Sequence, residues 1–174
     1  MKTKISRITE VAANIAIVVV AVVVVAVLAK QYLWPAKPPK APPAIAAGTK
    51  LAIPDVDWAN NGATLVVALQ KGCHFCSESA PFYQRLVSDT KDKNGFKIVA
   101  VLPQTIDEGK QYLDTLKVPI ADVKQAQLAT FGVSGTPTLI LVDGKGQVVN
   151  SWVGRLPPDG EAEVMGKIKQ VTHS

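Results

Sequence analysis

Two cysteines, Cys73 and Cys76, are the residues whose type and spacing predict chemistry most directly. They follow an apolar, strand-like run and open a segment with helical periodicity. A helix N-terminus presents unpaired N–H groups and a partial positive charge, which stabilise a thiolate and lower its pKa. We therefore predict that Cys73 is the exposed nucleophile of disulfide exchange and that Cys76 is the buried resolving thiol.

The two residues between the cysteines are His74 and Phe75. A protonated His74 would stabilise a neighbouring thiolate further and make the disulfide more oxidising. The alternative is a solvated histidine without an electrostatic role. Phe75 is interpreted either as an apolar contact for a substrate or as a packing residue.

Metal binding competes with redox chemistry as an interpretation of the cysteines. A zinc site would need two further N or S ligands, but the only other histidine, His173, lies at the end of the chain. Copper(I) would take the thiolates with His74 or Met165. A purely structural disulfide would close a very small loop and stabilise little. We predict no metal and no cofactor, and keep copper binding and a structural disulfide as alternatives.

The chain divides into four segments by composition. These are a basic flank at 1–10, an uncharged run at 11–29, a proline-rich stalk at 30–47, and a domain at 48–174 that is long enough to bury one core. The first 47 residues carry six basic residues and one acidic residue, which accounts for the net charge of +5. Because the domain itself is electrically balanced, we predict no nucleic-acid partner.

Residues 11–29 are predicted to form a single transmembrane helix in contact with lipid. A helix of this length spans roughly the ~30 Å hydrocarbon core. The alternative is a signal peptide cleaved after Val27-Leu28-Ala29, although the usual apolar core of such a peptide is only about 7–15 residues. The tightly basic flank is expected in the cytoplasm. The domain would then lie on the extracytoplasmic, periplasmic side of the inner membrane.

The stalk is expected to hold the domain away from the membrane surface. Five of the fourteen residues from 34 to 47 are proline, which predicts a semi-rigid polyproline II spacer. Tyr32 and Trp34 stand where an interfacial aromatic belt is expected.

Strand and helix patterns alternate along the domain. The predicted strands are 64–69, 96–102, 118–120 and 138–142, with 147–153 pairing back as a hairpin; the predicted helices are 73–91 with a kink at Pro81, 107–116, 125–131 and 159–171. This order predicts an α/β fold with a mixed central sheet flanked by helices, preceded by one transmembrane helix.

Three motifs resemble the thioredoxin-like superfamily over about residues 50–172. The cysteine pair follows a strand, and Pro81 stands eight residues beyond the first cysteine. The Thr136-Pro137 pair resembles the family's cis-proline loop, although an ordinary trans proline is the alternative. Gly154 occupies the place of the family's glycine beside the substrate groove. The resemblance implies that Thr136 pairs through its backbone with an extended substrate and tunes the thiolate, and that Phe75, Pro137 and Gly154 line the groove.

A longer segment before Pro137 and the Val142-Asp143-Gly144 sequence resemble the membrane-tethered branch related to TlpA and ResA. That resemblance implies disulfide reduction or isomerisation outside the cytoplasm. The implied partners are protein disulfides or dithiols and a membrane electron donor or acceptor.

Two departures from the thioredoxin pattern leave the direction of electron flow open. Val67 stands where thioredoxins carry a buried aspartate, and Gly72 replaces their tryptophan. Glu78 is a candidate substitute base. A disulfide-introducing oxidase, which His74 favours, and a non-catalytic copper-binding or redox-responsive module therefore remain alternatives to a reductase.

Overall fold

The computed structural model describes residues 2–33 and 44–172, which belong to two compact units divided near residue 40. The first unit contains one helix, α1 (Lys2–Leu33), which includes the uncharged run and the first four residues assigned to the stalk. No helix in the described part of the chain is long and apolar enough to cross a membrane. Trp34, most of the predicted stalk and His173 lie outside the described residues.

The second unit is an α/β domain built on one mixed sheet. Its elements are α2 (Trp58–Asn61), β1 (Ala63–Ala68), α3 (His74–Glu78), α4 (Ala80–Thr90), β2 (Phe96–Leu102), α5 (Ile106–Thr115), β3 (Asp122–Gln125), a 3-10 helix (Leu128–Phe131), β4 (Thr138–Val142), β5 (Val148–Val153) and α6 (Pro158–Thr172). The strand order is β3-β2-β1-β4-β5. The three strands β3, β2 and β1 are parallel, whereas β4 and β5 are antiparallel to their neighbours. The predicted fold class is therefore confirmed for this domain.

The central strand β1 is buried on both faces of the sheet. Leu65 and Val67 belong to the core cluster that also holds Cys76 and residues of α4 and α6. Val66 and Ala68 belong to the second cluster, with Leu51 and other residues. Because side chains alternate across a strand, one apolar run supplies both cores.

The predicted helix 73–91 is two helices that meet at Ser79. Pro81 lies in the first turn of α4, where its missing N–H costs no hydrogen bond. Ser79 ends α3 by donating its N–H and its hydroxyl to the carbonyl of Phe75, at 3.1 and 2.8 Å. The kink expected at the proline is therefore an interruption of one residue at Ser79, which keeps helical dihedrals, since Pro81 cannot donate to the carbonyl of Ser77.

The strand expected at 118–120 lies instead at β3, four residues later in the chain. Val118 and Ile120 are buried, but the N–H of Ile120 donates to the carbonyl of Val118 and Pro119 has no N–H. This segment is therefore a turn. The strand that pairs with β2 is the polar Asp122–Gln125, and an edge position tolerates such charge.

The helix expected at 125–131 is shorter than predicted. The only helical residues of that segment are Leu128–Phe131, which form a 3-10 turn. Its end agrees with the prediction, because Gly132 adopts a left-handed conformation with φ of 85° and caps the turn.

The segment before α2 runs along the outer edge of β5. Val148 exchanges two backbone hydrogen bonds with this segment: its carbonyl accepts from Gly48 at 2.7 Å and its N–H donates to Thr49 at 2.9 Å. Further along, the Ser151 hydroxyl donates to the carbonyl of Ile45 at 2.8 Å. The segment thus covers the edge that the β4–β5 hairpin would otherwise expose.

The turn between α2 and β1 depends on a glycine. Gly62 has φ of 69°, and a Cβ there would overlap the carbonyl oxygen of Gly95. We expect Gly62→Ala to lower the free energy of unfolding by about 2–4 kcal/mol, since backbone strain alone costs about 1–2 kcal/mol. Gly95→Ala is the matched control, because its φ is 70° but its Cβ would meet open space. Urea unfolding followed by circular dichroism measures both, and equal losses would contradict the role of the close contact.

Candidate active site

A tight turn carries the chain from β1 to the first cysteine. Gly72 adopts φ of 83°, which glycine does without strain, and the N–H of Cys73 donates to the carbonyl of Gln70 at 3.1 Å. Cys73 is the N-cap residue of α3, with the extended backbone that this position requires. Gly72, which stands where thioredoxins have a tryptophan, therefore allows the turn that places Cys73 at the start of α3.

The two cysteines form a disulfide, with their Cα atoms 5.3 Å apart. The N–H of Cys76 points at the Sγ of Cys73 at 3.1 Å, so the helix start presents a donor to this sulfur. Cys76 is fully buried, whereas Cys73 is partly exposed. An incoming sulfur can therefore reach Cys73 from solvent, and Cys76 lies on the core side of it.

The loop before β4 lies against the exposed sulfur. The Thr136–Pro137 peptide bond is cis, so the trans alternative is wrong. The carbonyl oxygen of Thr136 is 3.4 Å from the Sγ of Cys73. Among the described residues the hydroxyl of Thr136 makes no hydrogen bond, so its predicted tuning of the thiolate stays a prediction.

The end of β5 completes this surface. The N–H of Gly154 donates to the carbonyl of Pro137 at 2.7 Å, which joins the two loops beside the cysteines. Gly154 has φ of 86°, and a Cβ at this position would meet only open space. The glycine is therefore required by the backbone, and it leaves the surface in front of Pro137 uncovered.

His74 and Phe75 both point outward from α3. The side chain of His74 is 78% exposed, with its Nε2 3.3 Å from a carboxylate oxygen of Glu78. Phe75 is 54% exposed and tilted against the His74 ring at 5.7 Å between centroids. The packing interpretation of Phe75 is therefore wrong for this domain, because the ring remains available at the surface beside Cys73.

Glu78 has a second partner that the sequence did not suggest. Arg155, which follows Gly154, donates to the other carboxylate oxygen of Glu78 at 3.0 Å. The pair links α3 to the loop after β5 across 77 positions of sequence. No short motif signals a contact over such a separation, so only the fold could place Arg155 at the site.

The position of the thioredoxin aspartate is fully apolar here. Val67 is 1% exposed and shares a core cluster with Cys76. The buried polar residues of the described chain include no carboxylate. The described core therefore holds no buried carboxylate that could take the proton of Cys76.

An ion pair supports the turn before Cys73 from the side of α5. Lys71 lies 3.5 Å from Glu108, which also forms a capping box with Thr105 at the start of α5. The hydrogen bonds from Thr105 lower the pKa of Glu108, and the positive charge of Lys71 lowers it further. Glu108 therefore stays ionised and holds this turn against α5.

Two further observations bear on the alternatives. The described residues contain no cluster of three or more histidine, cysteine, aspartate or glutamate side chains that could hold a metal ion. Met165, the methionine considered for copper, lies in α6 and packs against the core.

The fold and the exposed–buried cysteine pair define a thiol–disulfide oxidoreductase. Residues 57–169 match the family described as the thioredoxin-like domain, so the chain belongs to that family. A search of curated proteins found no match.

Solved structures agree with this fold. A thiol:disulfide interchange protein from Bacteroides sp. is 26% identical, with a TM-score of 0.52 over 72% of this chain and 86% of that one. A putative DsbE from Chlorobium tepidum is 22% identical, with a TM-score of 0.55 over 76% and 95% of the two chains. A putative thioredoxin from Neisseria meningitidis is 23% identical, with a TM-score of 0.54 over 76% and 89%.

Proposed function

We propose that this oxidoreductase is membrane-tethered and reduces or isomerises disulfides of proteins outside the cytoplasm. The observation that carries the proposal is the unequal exposure of the two sulfurs beside the cis-proline loop. A polypeptide disulfide can approach Cys73 along the backbone of Thr136, in the manner of strand addition. Structural neighbours named as thiol:disulfide interchange proteins support the same activity.

The reaction transfers two electrons from the reduced enzyme to the substrate. The Cys73 thiolate attacks one substrate sulfur, forms a mixed disulfide and releases the other sulfur as a thiolate that takes up a proton. Cys76 then loses its proton and attacks Cys73, which releases the second substrate thiol and leaves the Cys73–Cys76 disulfide. A membrane dithiol donor is proposed to reduce this disulfide again.

The charges around α3 favour reduction over oxidation. A cation beside a thiolate stabilises the reduced enzyme and makes the disulfide more oxidising. The imidazole of His74 and the guanidinium of Arg155 instead share the carboxylate of Glu78, and both are exposed to solvent, so they stabilise a thiolate only weakly. We therefore place the oxidase as the second candidate, favoured only by the presence of His74 next to the nucleophile.

The reduction potential of the Cys73–Cys76 couple tests this direction. We expect a value near about −270 mV, as in thioredoxin, for the full chain equilibrated in dithiothreitol buffers. His74→Ala is expected to shift the potential by less than about 30 mV, because the ring is exposed to solvent and faces the carboxylate of Glu78. A value near about −120 mV would make the enzyme an oxidant and overturn the proposed direction.

Support for the tether comes from the N-terminal sequence. The run 11–29 has no charged residue, and α1 continues through it. The described large apolar side chains of α1, from Ile15 to Leu28, are all at least half exposed. An exposed apolar surface of this size requires a cover, and lipid provides one.

Protease treatment of spheroplasts tests the location. With the basic flank in the cytoplasm, we expect external protease to digest the domain in intact spheroplasts that express the full chain. A cytoplasmic protein in the same cells is the control and must remain intact. Protection of the domain until lysis would reverse the orientation, and a soluble product that begins after residue 29 would indicate a cleaved signal peptide.

A further inference from the structure

A pocket of about 350 Å³ lies beside the cis-proline loop, on the side away from Gly154. Thr136 lines the pocket, and its carbonyl is 3.4 Å from the Sγ of Cys73. Gln70 lines it as well, and its backbone carbonyl holds the N–H of Cys73. Two residues that line the pocket therefore contact Cys73 through their backbone carbonyls.

The topology of the sheet builds this pocket. Gln70 follows β1, Pro103 follows β2 and Gln127 follows β3, and these three parallel strands end at the same edge. Crevices at the carboxyl ends of parallel strands are the usual ligand sites of α/β sheets. The buried side chains of Leu128 and Val133 form the apolar part of the wall.

The polar groups of the pocket are uncharged. None of its lining residues is acidic or basic. Two nearby glutamines make hydrogen bonds within the domain: Gln104 accepts from the N–H of Lys71, and Gln125 donates to the carbonyl of Pro103. The side chains of Gln70 and Gln127 are exposed, and neither makes a hydrogen bond within the described chain. Each free amide offers both a donor and an acceptor.

We propose that this pocket binds a neutral polar side chain, such as glutamine or asparagine, one to three residues from the substrate cysteine. The inference rests on the proposed function and adds a sequence preference to it. An extended chain advances about 3.3–3.6 Å per residue, so a side chain this close to the reacting cysteine can reach the pocket. A carboxylate would lose hydration and find no cation among the lining residues. A leucine would displace water from both amides without replacing its hydrogen bonds.

The test uses glutathione mixed disulfides of seven-residue peptides, each with one cysteine and otherwise alanine and glycine. Gln, Leu or Glu is placed in turn at each of the three positions on either side of the cysteine. The reduced full chain converts each mixed disulfide into free peptide and glutathione while its own disulfide forms. At one position we expect the Gln peptide to react about tenfold faster than the Leu or Glu peptide, which corresponds to about 1.4 kcal/mol.

Charge-changing variants tie this preference to the pocket. In Gln127→Glu we expect a Lys peptide to overtake the Gln peptide, because the pocket then holds a carboxylate. Gln111→Glu makes the same charge change on the exposed face of α5, outside the pocket, and should leave the peptide ratios as in the unaltered chain. Ratios are compared within one variant, so a change in thiol reactivity cancels.

Reduction of hydroxyethyl disulfide, which has no side chain to place in the pocket, separates the two proposals. If the enzyme reduces it but all peptides react alike, the pocket inference is wrong and the oxidoreductase remains. A Gln preference that persists unchanged in Gln127→Glu and Gln70→Leu would also overturn the inference. If neither hydroxyethyl disulfide nor any of the peptide mixed disulfides is reduced, both proposals fail.

Discussion

The Cys73→Ser variant is expected to lose disulfide exchange by at least about a thousandfold. Cys73 is the sulfur that substrate can reach, and Cys76 is fully buried behind it. A serine hydroxyl cannot form the mixed disulfide, and Cys76 is not positioned to replace it. The measurement is the rate at which the pre-reduced full chain reduces a protein disulfide, followed through the released thiols.

The Cys76→Ser variant should behave in the opposite way. Its Cys73 still attacks a substrate, but nothing resolves the mixed disulfide, so partners remain attached and appear as larger bands on non-reducing gels. Cys76→Ala is the matched control, because it removes the thiol without burying a hydroxyl in the apolar core. Trapped partners on Cys73→Ser and none on either Cys76 variant would show that the two roles are reversed.

The second large effect is expected at Val67, in the position of the thioredoxin aspartate. Val67→Asp would place a carboxyl group in the core cluster of Cys76, where the described chain offers no buried cation. We expect a loss of stability of about 3–5 kcal/mol at neutral pH, as for an uncompensated buried charge. Urea unfolding midpoints of the full chain at several pH values measure it.

This loss should depend on pH in a defined direction. Burial raises the pKa of the new carboxyl in the folded state, so the folded chain holds its proton to higher pH than the unfolded chain does. The unfolded state then binds fewer protons, and stability falls as pH rises above about 3.9. Val67→Asn is the matched control, since its cost should not vary with pH. A Val67→Asp penalty independent of pH would contradict burial of the charge.

The core strands β1, β2 and β4 could be predicted because each is a continuous run of mostly apolar residues. The apolar runs at β1, β2 and β4 agree with the predicted strands to within one residue. These strands are buried on both faces, so a continuous apolar run is their direct signature. The site followed from the same reasoning, since a Cys-x-x-Cys pair between a buried strand and a helix fixes which sulfur is nearer the helix start.

The edges of the sheet could not be predicted in this way. β3 contains one buried residue, Val123, among three polar ones, so it carries almost no apolar signal. The strand was predicted at 118–120 because Val118 and Ile120 are more apolar. Pro119 lies between them and has no N–H to donate to a neighbouring strand. β3 can be this polar because it lies at the edge of the sheet, where a strand needs only one buried face.

Three residues at or near the site were not predicted from the sequence, for a different reason. Arg155, Gln70 and Gln127 are ordinary surface residues by sequence, and they belong to segments far apart in the chain. The parallel order of β1, β2 and β3 brings Gln70 and Gln127 to one pocket, and the fold brings the end of α3 beside the loop after β5, where Glu78 meets Arg155. These contacts are properties of the topology, so no local pattern contains them.

The segment that runs along β5 has a consequence for molecules that the proposed tether would hold side by side in one membrane. Tethered domains meet at high local concentration, and a free strand edge is a template for joining one molecule to the next. Here Val148 already exchanges its hydrogen bonds with Gly48 and Thr49. The residues that would connect the domain to the proposed tether therefore also cover the β5 edge of its sheet. A shortened fragment that begins after Ile53 would lose this protection and is expected to self-associate.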